Sequence, residues 1–352
     1  MAPLHLLNNQ SILLAIVSLT VINSVARRQI LIEAATPPFR TSTSTPAFAG
    51  FGATKTSALV GKKKKRSKPS VPEPPLPDLS TAEGRMAHIA SCIEQADISA
   101  MGAHHGEEWN SNAICSVDNF LGGPLIQALR TEAESLLPIM LPSQSTRWEE
   151  ETQSVITYDK EGVLSTQIEG GTESYNATPR LVEYVVTLTH KLAEKINAIV
   201  PPEYQLSGTQ QTNKLAVCIG NGSKYDKHID NLGGGDEMGD QRKMTALLYL
   251  QPSGSHEFSA DNTEVDPRGG YFRAYDVPED GNVKVFAPRG DRLLLFWSDS
   301  LVHDVSPSFA PNAEIDWRWA LTIWFVVKLG GNIRVTGGEV VRRHFGTGKS
   351  RP

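Results

Sequence analysis

The sequence predicts a mainly β protein with flanking helices (α+β), and three observations support this fold class. After about residue 209, short apolar runs alternate with Gly, Pro and Asp, a pattern typical of a β-sandwich or barrel. Between residues 81 and 208, apolar side chains recur at helical spacing, so we expect helices ahead of the strands. The chain has 352 residues, of which 39% are hydrophobic and 21% charged, which is enough apolar content for a core and suggests about two domains.

The first eighty residues are predicted to be a targeting segment followed by a disordered linker. SILLAIVSLTVINSVA (11–26) is short, apolar and ends in small residues, which suits a signal peptide better than a membrane-spanning helix. Residues 27–70 carry many Ser, Thr, Ala, Arg and Lys but a single acidic residue, Glu33, as organelle transit peptides do. GKKKKRSKP (61–69) is open to three interpretations: a nuclear signal, an electrostatic patch or a solvated linker.

These features favour the secretory pathway or an organelle such as a plastid, with the cytoplasm or nucleus as the alternative. We expect no stable membrane span in the mature chain. The net charge of −5 gives no reason to expect a nucleic-acid partner. The spacing of the three cysteines fits neither a disulfide framework nor a zinc site, and free thiols are expected at Cys92, Cys115 and Cys218.

Helices are predicted at three places. EGRMAHIASCIEQ (83–95) has helical spacing. A strand at 113–117 and a turn at 122–123 precede a second helix, with Pro124 in its first turn and an apolar stripe of Leu125, Ile126, Leu129, Ala133, Leu136 and Leu137. A third helix has Thr178 as its N-cap and Pro179 as its first residue. Its apolar stripe consists of Leu181, Tyr184, Val185, Leu188, Leu192, Ile196 and Ile199, and His190 lies off that stripe.

Short strands are predicted in the second half of the chain. They are NKLAVCI (213–219), KMTALLYLQ (243–251), GGYFRAYD (269–276), NVKVFAP (282–288), RLLLFWS (292–298), VHDVSPS (302–308) and RWALTIWFVV (318–327). The closing segment, residues 329–352, is rich in Gly and basic residues, and we expect it to be a loose tail.

KYDKHIDN (224–231) sets a histidine and a carboxylate two positions apart, at His228 and Asp230. On a strand these side chains share one face, with Cα atoms about 6.6 Å apart, so both can reach one metal ion. A second histidine would complete the two-histidine, one-carboxylate triad of non-haem Fe(II) oxygenases. His303 is the best candidate because it follows an apolar strand. The alternatives His104, His105, His256 and His344 lie ahead of the strand region, in a loop or in the tail.

Arg318 is a second candidate site residue. In RWALTIWF (318–325), alternation places Arg318 on one face with Ala320, Thr322 and Trp324, and the large apolar side chains on the other. A buried cation is costly unless it is paired, and a ligand carboxylate would pair it. The alternative, left open by position alone, is an arginine that reaches water or pairs with Asp316.

The order of these motifs resembles the 2-oxoglutarate- and Fe(II)-dependent dioxygenases. Within them it resembles the prolyl 4-hydroxylase group, particularly the oxygen-sensing prolyl hydroxylases of the hypoxia-inducible-factor type. The similarity covers about residues 113–327 and is strongest over 214–325. There GNGSKYDKHIDN, GDQRKMTALLYLQ, GGYFRAY, DRLLLFWSDSLVHDVSP and RWALTIWF occur in the family's order.

The resemblance implies a double-stranded β-helix (jelly roll) with N-terminal helices packed on it. It divides the chain into a targeting segment and linker (1–80), a helical N-terminal part of the catalytic unit (81–208), the dioxygenase core (209–328) and a tail (329–352). The implied iron ligands are His228, Asp230 and His303. Five further residues are implied to line the site: Arg318 and Tyr249 on the distal carboxylate of 2-oxoglutarate, Thr322 and Phe272 beside them, and Arg242 on the peptide substrate.

The implied activity is hydroxylation of peptidyl proline by O₂, coupled to conversion of 2-oxoglutarate into succinate and CO₂, with L-ascorbate keeping the iron reduced. Two alternatives are the same chemistry on a free amino acid or another group, and a catalytically silent jelly-roll binding module. This sequence departs from the family at Cys218, where a tyrosine is usual, and in SFAPNAEID (308–316), which lengthens the segment ahead of Arg318.

Overall fold

The computed structural model describes residues 30–31, 77–102, 104–105, 108–109, 113–149, 154–231, 240–251, 268–276, 283–334 and 338–345. The predicted signal peptide and basic run therefore lie outside the described residues, as do nearly all of the transit-like segment and the candidate His256. No helix among the described residues is long and apolar enough to cross a bilayer.

Five α-helices are present in the described part of the chain. They are α1 (Ala82–Gln95), α2 (Gly123–Ser135), α3 (Thr172–Ala177), α4 (Pro179–Asn197) and α5 (Gly338–Phe345). The Thr81 hydroxyl caps α1 by accepting a hydrogen bond from the Gly84 amide at 3.0 Å. Thr178 precedes α4 as predicted, but it makes no side-chain cap, because its hydroxyl donates to the Ser174 carbonyl of α3.

Fourteen strands are present in the same residues. They are β1 (Ile30–Leu31), β2 (His104–His105), β3 (Glu108–Trp109), β4 (Ile114–Val117), β5 (Leu141–Glu149), β6 (Ser154–Thr166), β7 (Leu206–Cys218), β8 (Ser223–His228), β9 (Arg242–Tyr249), β10 (Phe272–Tyr275), β11 (Val283–Phe286), β12 (Leu293–Trp297), β13 (His303–Ser308) and β14 (Arg318–Val327).

These strands form two main sheets. The large sheet has the order β1-β5-β6-β7-β14-β9-β12-β4, the small sheet has the order β11-β10-β13-β8, and β2 and β3 form a separate pair. From β7 to β14 the chain passes back and forth between the two sheets, and the pairings there are antiparallel. This arrangement confirms the predicted class, a jelly roll with helices packed on it.

The large sheet buries both of its faces. One face packs against helices α1, α2 and α4 through a core that includes Trp319, Leu321, Ile323 and Phe325 of β14. The opposite face packs against the small sheet through a second core that includes Tyr249, Phe272, Phe296 and Ala320. The alternation predicted for β14 is therefore correct, and the site residues belong to the face between the sheets.

Two parts of the chain differ from the sequence expectations. Residues 81–208 contain β5 and β6 as well as helices. The sequence does not predict these two strands. The buried positions of β5 include Ser143 and Ser145, so β5 lacks the alternation of apolar and polar residues that indicates a strand. The tail is not loose throughout, because α5 forms within it and buries Phe345. Ile199 lies beyond the end of α4 and is exposed.

Candidate metal centre

The two histidines come together through the pairing of β8 with β13. His228 ends β8, His303 begins β13, and the two residues are direct partners in the small sheet, with ring centroids 4.3 Å apart. Asp230 lies two residues past the end of β8, so it reaches the site from the turn rather than from the strand face that we predicted. One ligand atom from each of the three residues lies within 4.8 Å of the others, which confirms that they converge.

Backbone carbonyls fix the orientation of both imidazoles. The Nδ1 atom of His228 lies 2.7 Å from the Asp226 carbonyl oxygen, and that of His303 lies 3.1 Å from the Leu301 carbonyl oxygen. A carbonyl only accepts, so each Nδ1 carries the proton and donates it. The two Nε2 atoms are left with free lone pairs, 3.4 Å and 3.9 Å from Asp230 Oδ1.

Asp230 is held by two hydrogen bonds on the oxygen that faces away from the histidines. Its Oδ2 atom accepts from Thr245 Oγ1 at 2.7 Å and from the Trp324 indole at 3.0 Å. Burial opposes ionisation of this carboxyl. Contacts with the imidazoles of His228 and His303 and the charge of Arg242 outweigh burial, and the Asp230 pKa lies well below its ordinary value. The site therefore offers an ionised carboxylate.

His303 is enclosed by aromatic rings. The Phe272 ring stacks on its imidazole at 5.0 Å, and the Phe296 ring lies 4.7 Å away. Burial, followed by the charge of His228, lowers the pKa of His303 to about 4. His303 is thus a neutral imidazole at physiological pH, which is the form that binds a metal. Phe272, expected beside the co-substrate, lies against this ligand.

Arg318 is buried at the start of β14, between the two sheets. Its Nη2 donates to the Cys218 thiol at 2.8 Å, and its Nε has no partner among the described residues. Asp316, the alternative partner, instead accepts from Asn312 at 2.8 Å and lies near Arg268. Burial opposes the charge of Arg318, but Cys218 and the nearby tyrosines outweigh it and raise its pKa, so it stays cationic.

Buried polar atoms beside Arg318 fit a small carboxylate ligand. The Tyr249 hydroxyl and the Ser308 hydroxyl are buried without a hydrogen-bond partner in the described part of the chain. Glycine at position 270 lets Ser308 and Arg318 lie close together. A Cβ atom at this position would lie only 2.7 Å from Ser308 Oγ and 3.0 Å from Arg318 Cδ. Buried donors require acceptors, so this pocket suits the distal carboxylate of 2-oxoglutarate.

The other predicted site residues occupy distinct positions. Thr322 is half-buried on β14, two residues beyond Ala320 on the Arg318 face. Arg242 is paired with Asp240, and its Nη2 donates to the Asp230 carbonyl at 2.6 Å. The guanidinium also lies 5.3 Å from the Trp324 ring. Arg242 therefore borders the metal ligands, and its contact with a peptide substrate stays a prediction.

Sequence reasoning missed several residues that complete the site. Thr245 and Trp324 hold Asp230, and the ring of Tyr225 lies 5.6 Å from the Arg318 guanidinium. Trp324 could have been found from its alternation with Arg318. Thr245 carried no local signal, because its role depends on pairing between distant strands.

The fold and the site together define a class of protein: a jelly roll carrying the two-histidine, one-carboxylate triad of mononuclear iron oxygenases. Residues 214–326 match the family model described as the 2OG-Fe(II) oxygenase superfamily. This segment is similar to that superfamily, and within the superfamily the chain is similar to the prolyl hydroxylases.

Curated relatives of this chain include prolyl hydroxylases. Rat "Egl nine homolog 1" is 28% identical over 218 residues, covering 61% of this chain and 56% of the relative. The "Hypoxia-inducible factor prolyl hydroxylase" of Caenorhabditis elegans is 33% identical over 123 residues, covering 34% of this chain and 14% of the relative. The chain thus spans about half the length of the first relative. A Trichoplax adhaerens prolyl hydroxylase structure, solved with a hypoxia-inducible-factor peptide, has a TM-score of 0.45 at 24% identity, covering 71% of this chain and 94% of that one.

Proposed function

We propose that this chain is an Fe(II)- and 2-oxoglutarate-dependent dioxygenase that hydroxylates proline in a peptide or protein, with succinate and CO₂ as co-products. The observation that carries the proposal is the buried, unpaired donor pocket around Arg318 beside the convergent triad. A set of three metal ligands by itself is found in many kinds of metalloenzyme. A buried guanidinium without a carboxylate partner adds the requirement for an acidic co-substrate.

Bound iron and 2-oxoglutarate supply the O₂ chemistry that hydroxylates an unactivated C–H bond. The residues of the chain bind and orient these groups. His228, Asp230 and His303 would hold the iron from one side, which leaves the other side open for co-substrate and O₂. Arg318 and Tyr249 would grip the distal carboxylate, with the Cys218 thiol giving up its hydrogen bond from Arg318.

Exclusion of water is the second contribution of the chain. Phe272 and Phe296 cover His303, and both rings are about 1% exposed. In such dry surroundings charge interactions are stronger than in water, so the pairing of Arg318 with a carboxylate is strengthened. Trp324 and Thr245 keep Asp230 Oδ1 directed at the metal position without help from solvent.

The test is turnover of 2-oxoglutarate with a panel of proline-containing peptides, followed by mass spectrometry for a hydroxylated product. We expect succinate release that requires Fe(II) and falls more than about 100-fold in His228→Ala. His190→Ala, an exposed histidine on α4, is the matched control and should keep full activity. Full activity in His228→Ala would refute the triad. A chain that binds neither Fe(II) nor Mn(II) in calorimetry would instead be a silent binding module.

Arg318→Met tests the co-substrate assignment separately from the metal site. The apolar side chain removes the donors to the distal carboxylate, so we expect the Kd for 2-oxoglutarate to rise about 100-fold while Mn(II) binding changes little. Unchanged 2-oxoglutarate affinity in this variant would show that another residue holds the co-substrate.

Two further features belong to the same proposal. L-ascorbate sustains turnover by keeping the iron in the Fe(II) state, so omission of ascorbate should shorten the linear phase of the reaction.

The amino-terminal segment directs the chain to the secretory pathway or an organelle. A fluorescent fusion of the chain would show which compartment it reaches. Asn221 lies in an NGS sequon and is exposed in the turn between β7 and β8, the strand that ends at His228. A chain that stays in the secretory lumen should lack a glycan there or lose activity.

A further inference from the structure

Three cations surround the ring of Tyr225 at the edge of the metal centre. The Nζ atoms of Lys160 and Lys214 lie 4.3 Å and 5.7 Å from the ring centroid, and the Arg318 Cζ atom lies 5.6 Å from it. The three cations lie on neighbouring strands of the large sheet: Lys160 on β6, Lys214 on β7 and Arg318 on β14. Tyr225 lies on β8 of the small sheet. The cluster therefore spans the gap between the sheets.

This cluster is connected to the candidate metal ligand Asp230 through Trp324. The Lys214 Nζ atom lies 5.8 Å from the ring of Trp324, and that indole donates to Asp230 Oδ2. Lys160 and Lys214 are each half-buried, so both remain accessible to a ligand. One side chain, that of Trp324, therefore separates Lys214 from Asp230.

Neither lysine forms an ion pair with a carboxylate in the part of the chain that the structure describes. Other cations in similar surroundings are paired: Arg242 with Asp240, and Lys243 with Asp299. Burial lowers the pKa of both lysines, and for Lys160 the charge of Lys214 lowers it further. The charge of Asp230 acts on both lysines but does not outweigh burial, so a carboxylate brought by a ligand would stabilise the two ammonium groups.

2-Oxoglutarate does not balance the charges of these two lysines. With iron and 2-oxoglutarate bound, the positive charges of Fe(II) and Arg318 equal the negative charges of Asp230 and the 2-oxoglutarate dianion. The charges of Lys160 and Lys214 remain uncompensated in this balance. The excess positive charge lies beside the metal, where the substrate must bind.

We propose that Lys160 and Lys214 form a carboxylate-binding subsite that selects peptides with an acidic side chain next to the target proline. The inference rests on the proposed function, because it names the substrate class of the same site. A carboxylate could also come from 2-oxoglutarate itself, so the experiment must separate these two sources. The aromatic rings of Tyr225 and Trp324 would flank the bound carboxylate and exclude water from its ion pairs.

The test compares two peptide series, with Glu or Gln at positions flanking the proline. Peptide Kd is measured by fluorescence polarisation on protein loaded with Mn(II) and 2-oxoglutarate under argon. We expect the wild-type chain to bind the best Glu peptide about tenfold more tightly than its Gln counterpart, with a preference that shrinks as salt rises. Lys160→Met combined with Lys214→Met should remove the preference, because methionine keeps the apolar stem without the charge.

Lys191→Met on the exposed face of α4 is the matched control and should keep the preference. The Kd for 2-oxoglutarate, titrated without peptide, should stay within about twofold in the double variant, as expected where no direct contact is lost. A 2-oxoglutarate Kd that rises tenfold while the peptide preference persists would assign the lysines to the co-substrate and overturn the inference.

Failure of the inference can be told apart from failure of the proposed function. If the chain hydroxylates Glu and Gln peptides equally well, the subsite is wrong and the prolyl hydroxylase assignment stands. If the chain binds 2-oxoglutarate and Mn(II) but no proline peptide of either series, both the peptide substrate and the subsite are overturned.

Discussion

Asp230 shows how single residues outside the ligand set shape the metal centre. Its Oδ2 atom is occupied by Thr245 and Trp324, so only Oδ1 faces the two imidazoles. Partners of this kind orient a ligand and typically change metal affinity by about 10-fold to 100-fold when they are removed.

Thr245→Val should therefore weaken Mn(II) binding about tenfold, because the isosteric side chain removes the hydroxyl that holds Asp230. Isothermal titration calorimetry measures this change. Thr187→Val is the matched control, since the Thr187 hydroxyl is buried on α4 without a partner in the described residues. Equal metal affinity in Thr245→Val and Thr187→Val would show that the hydrogen bond does not position Asp230.

The lowered pKa of His303 predicts how the stability of the metal-free protein depends on pH. In the folded state this pKa is about 4, whereas an exposed histidine titrates near 6.5. Between these values the unfolded chain binds more protons, so stability is lost as the pH falls. From pH 7 to pH 5, this group should lower the free energy of unfolding by about 2 kcal/mol.

Urea unfolding in the presence of a chelator, at pH 7 and pH 5, measures that change. His303→Asn should reduce the difference between the two pH values by about 2 kcal/mol, because asparagine does not titrate. His190→Asn should keep the wild-type difference, since His190 is exposed. The same pH dependence in wild type and His303→Asn would mean that other groups account for it.

Helix α5 packs against both chain segments that carry the candidate metal ligands. Phe345 packs with Ile229 and Val302, and these two residues lie next to His228, Asp230 and His303 in the chain. A second anchor is the contact of His344 Nε2 with Asp276 Oδ2 at 2.6 Å. The helix thus supports both segments that carry metal ligands.

Phe345→Ala should destabilise the protein by about 3 kcal/mol, as expected for loss of a buried phenylalanine. It should also weaken Mn(II) binding, because the backbone on both sides of the ligands loses its packing. Thermal unfolding and calorimetry measure the two effects. Leu329→Ala is the control, since Leu329 is fully exposed, and it should change neither quantity. Normal metal affinity in a destabilised Phe345→Ala would limit α5 to a structural role.

The whole molecule depends on a large sheet that is buried on both faces, and one ion pair lies deep in this arrangement. Lys243 of β9 is 0% exposed, and its Nζ donates to Asp299 Oδ2 at 2.6 Å. Asp299 also accepts from the Arg334 amide, which connects the pair to the chain after β14. Removal of one partner would leave the other charged and buried.

Lys243→Met should lower the free energy of unfolding by about 3 to 5 kcal/mol, the usual cost of breaking a buried pair on one side. Lys243→Met combined with Asp299→Leu should recover part of that loss, because no buried charge is left unpaired. Chemical denaturation compares both variants with Lys191→Met, an exposed lysine. A loss below about 1 kcal/mol in Lys243→Met would show that Asp299 is compensated by other groups.

Much of the site could be predicted from the sequence because it depends on local periodicity. The His228 and Asp230 spacing, the apolar strand ahead of His303 and the alternation around Arg318 are each readable within a few residues. The same holds for β7 and β9 to β14, whose inward residues are mostly apolar. Strands β5 and β6 and helix α5 could not be predicted, since serines or isolated apolar residues form their buried contacts.

The sequence by itself determined the class of fold, the candidate metal ligands and the arginine beside them, because each is encoded by neighbouring residues that share a strand or a turn. The tertiary structure alone decided which groups hold those ligands. Trp324 reaches Asp230 across 94 residues, and Arg318 reaches Cys218 across 100. Strand pairing, not local spacing, sets such contacts, and it also brings Lys160 and Lys214 to one tyrosine ring at the edge of the metal centre.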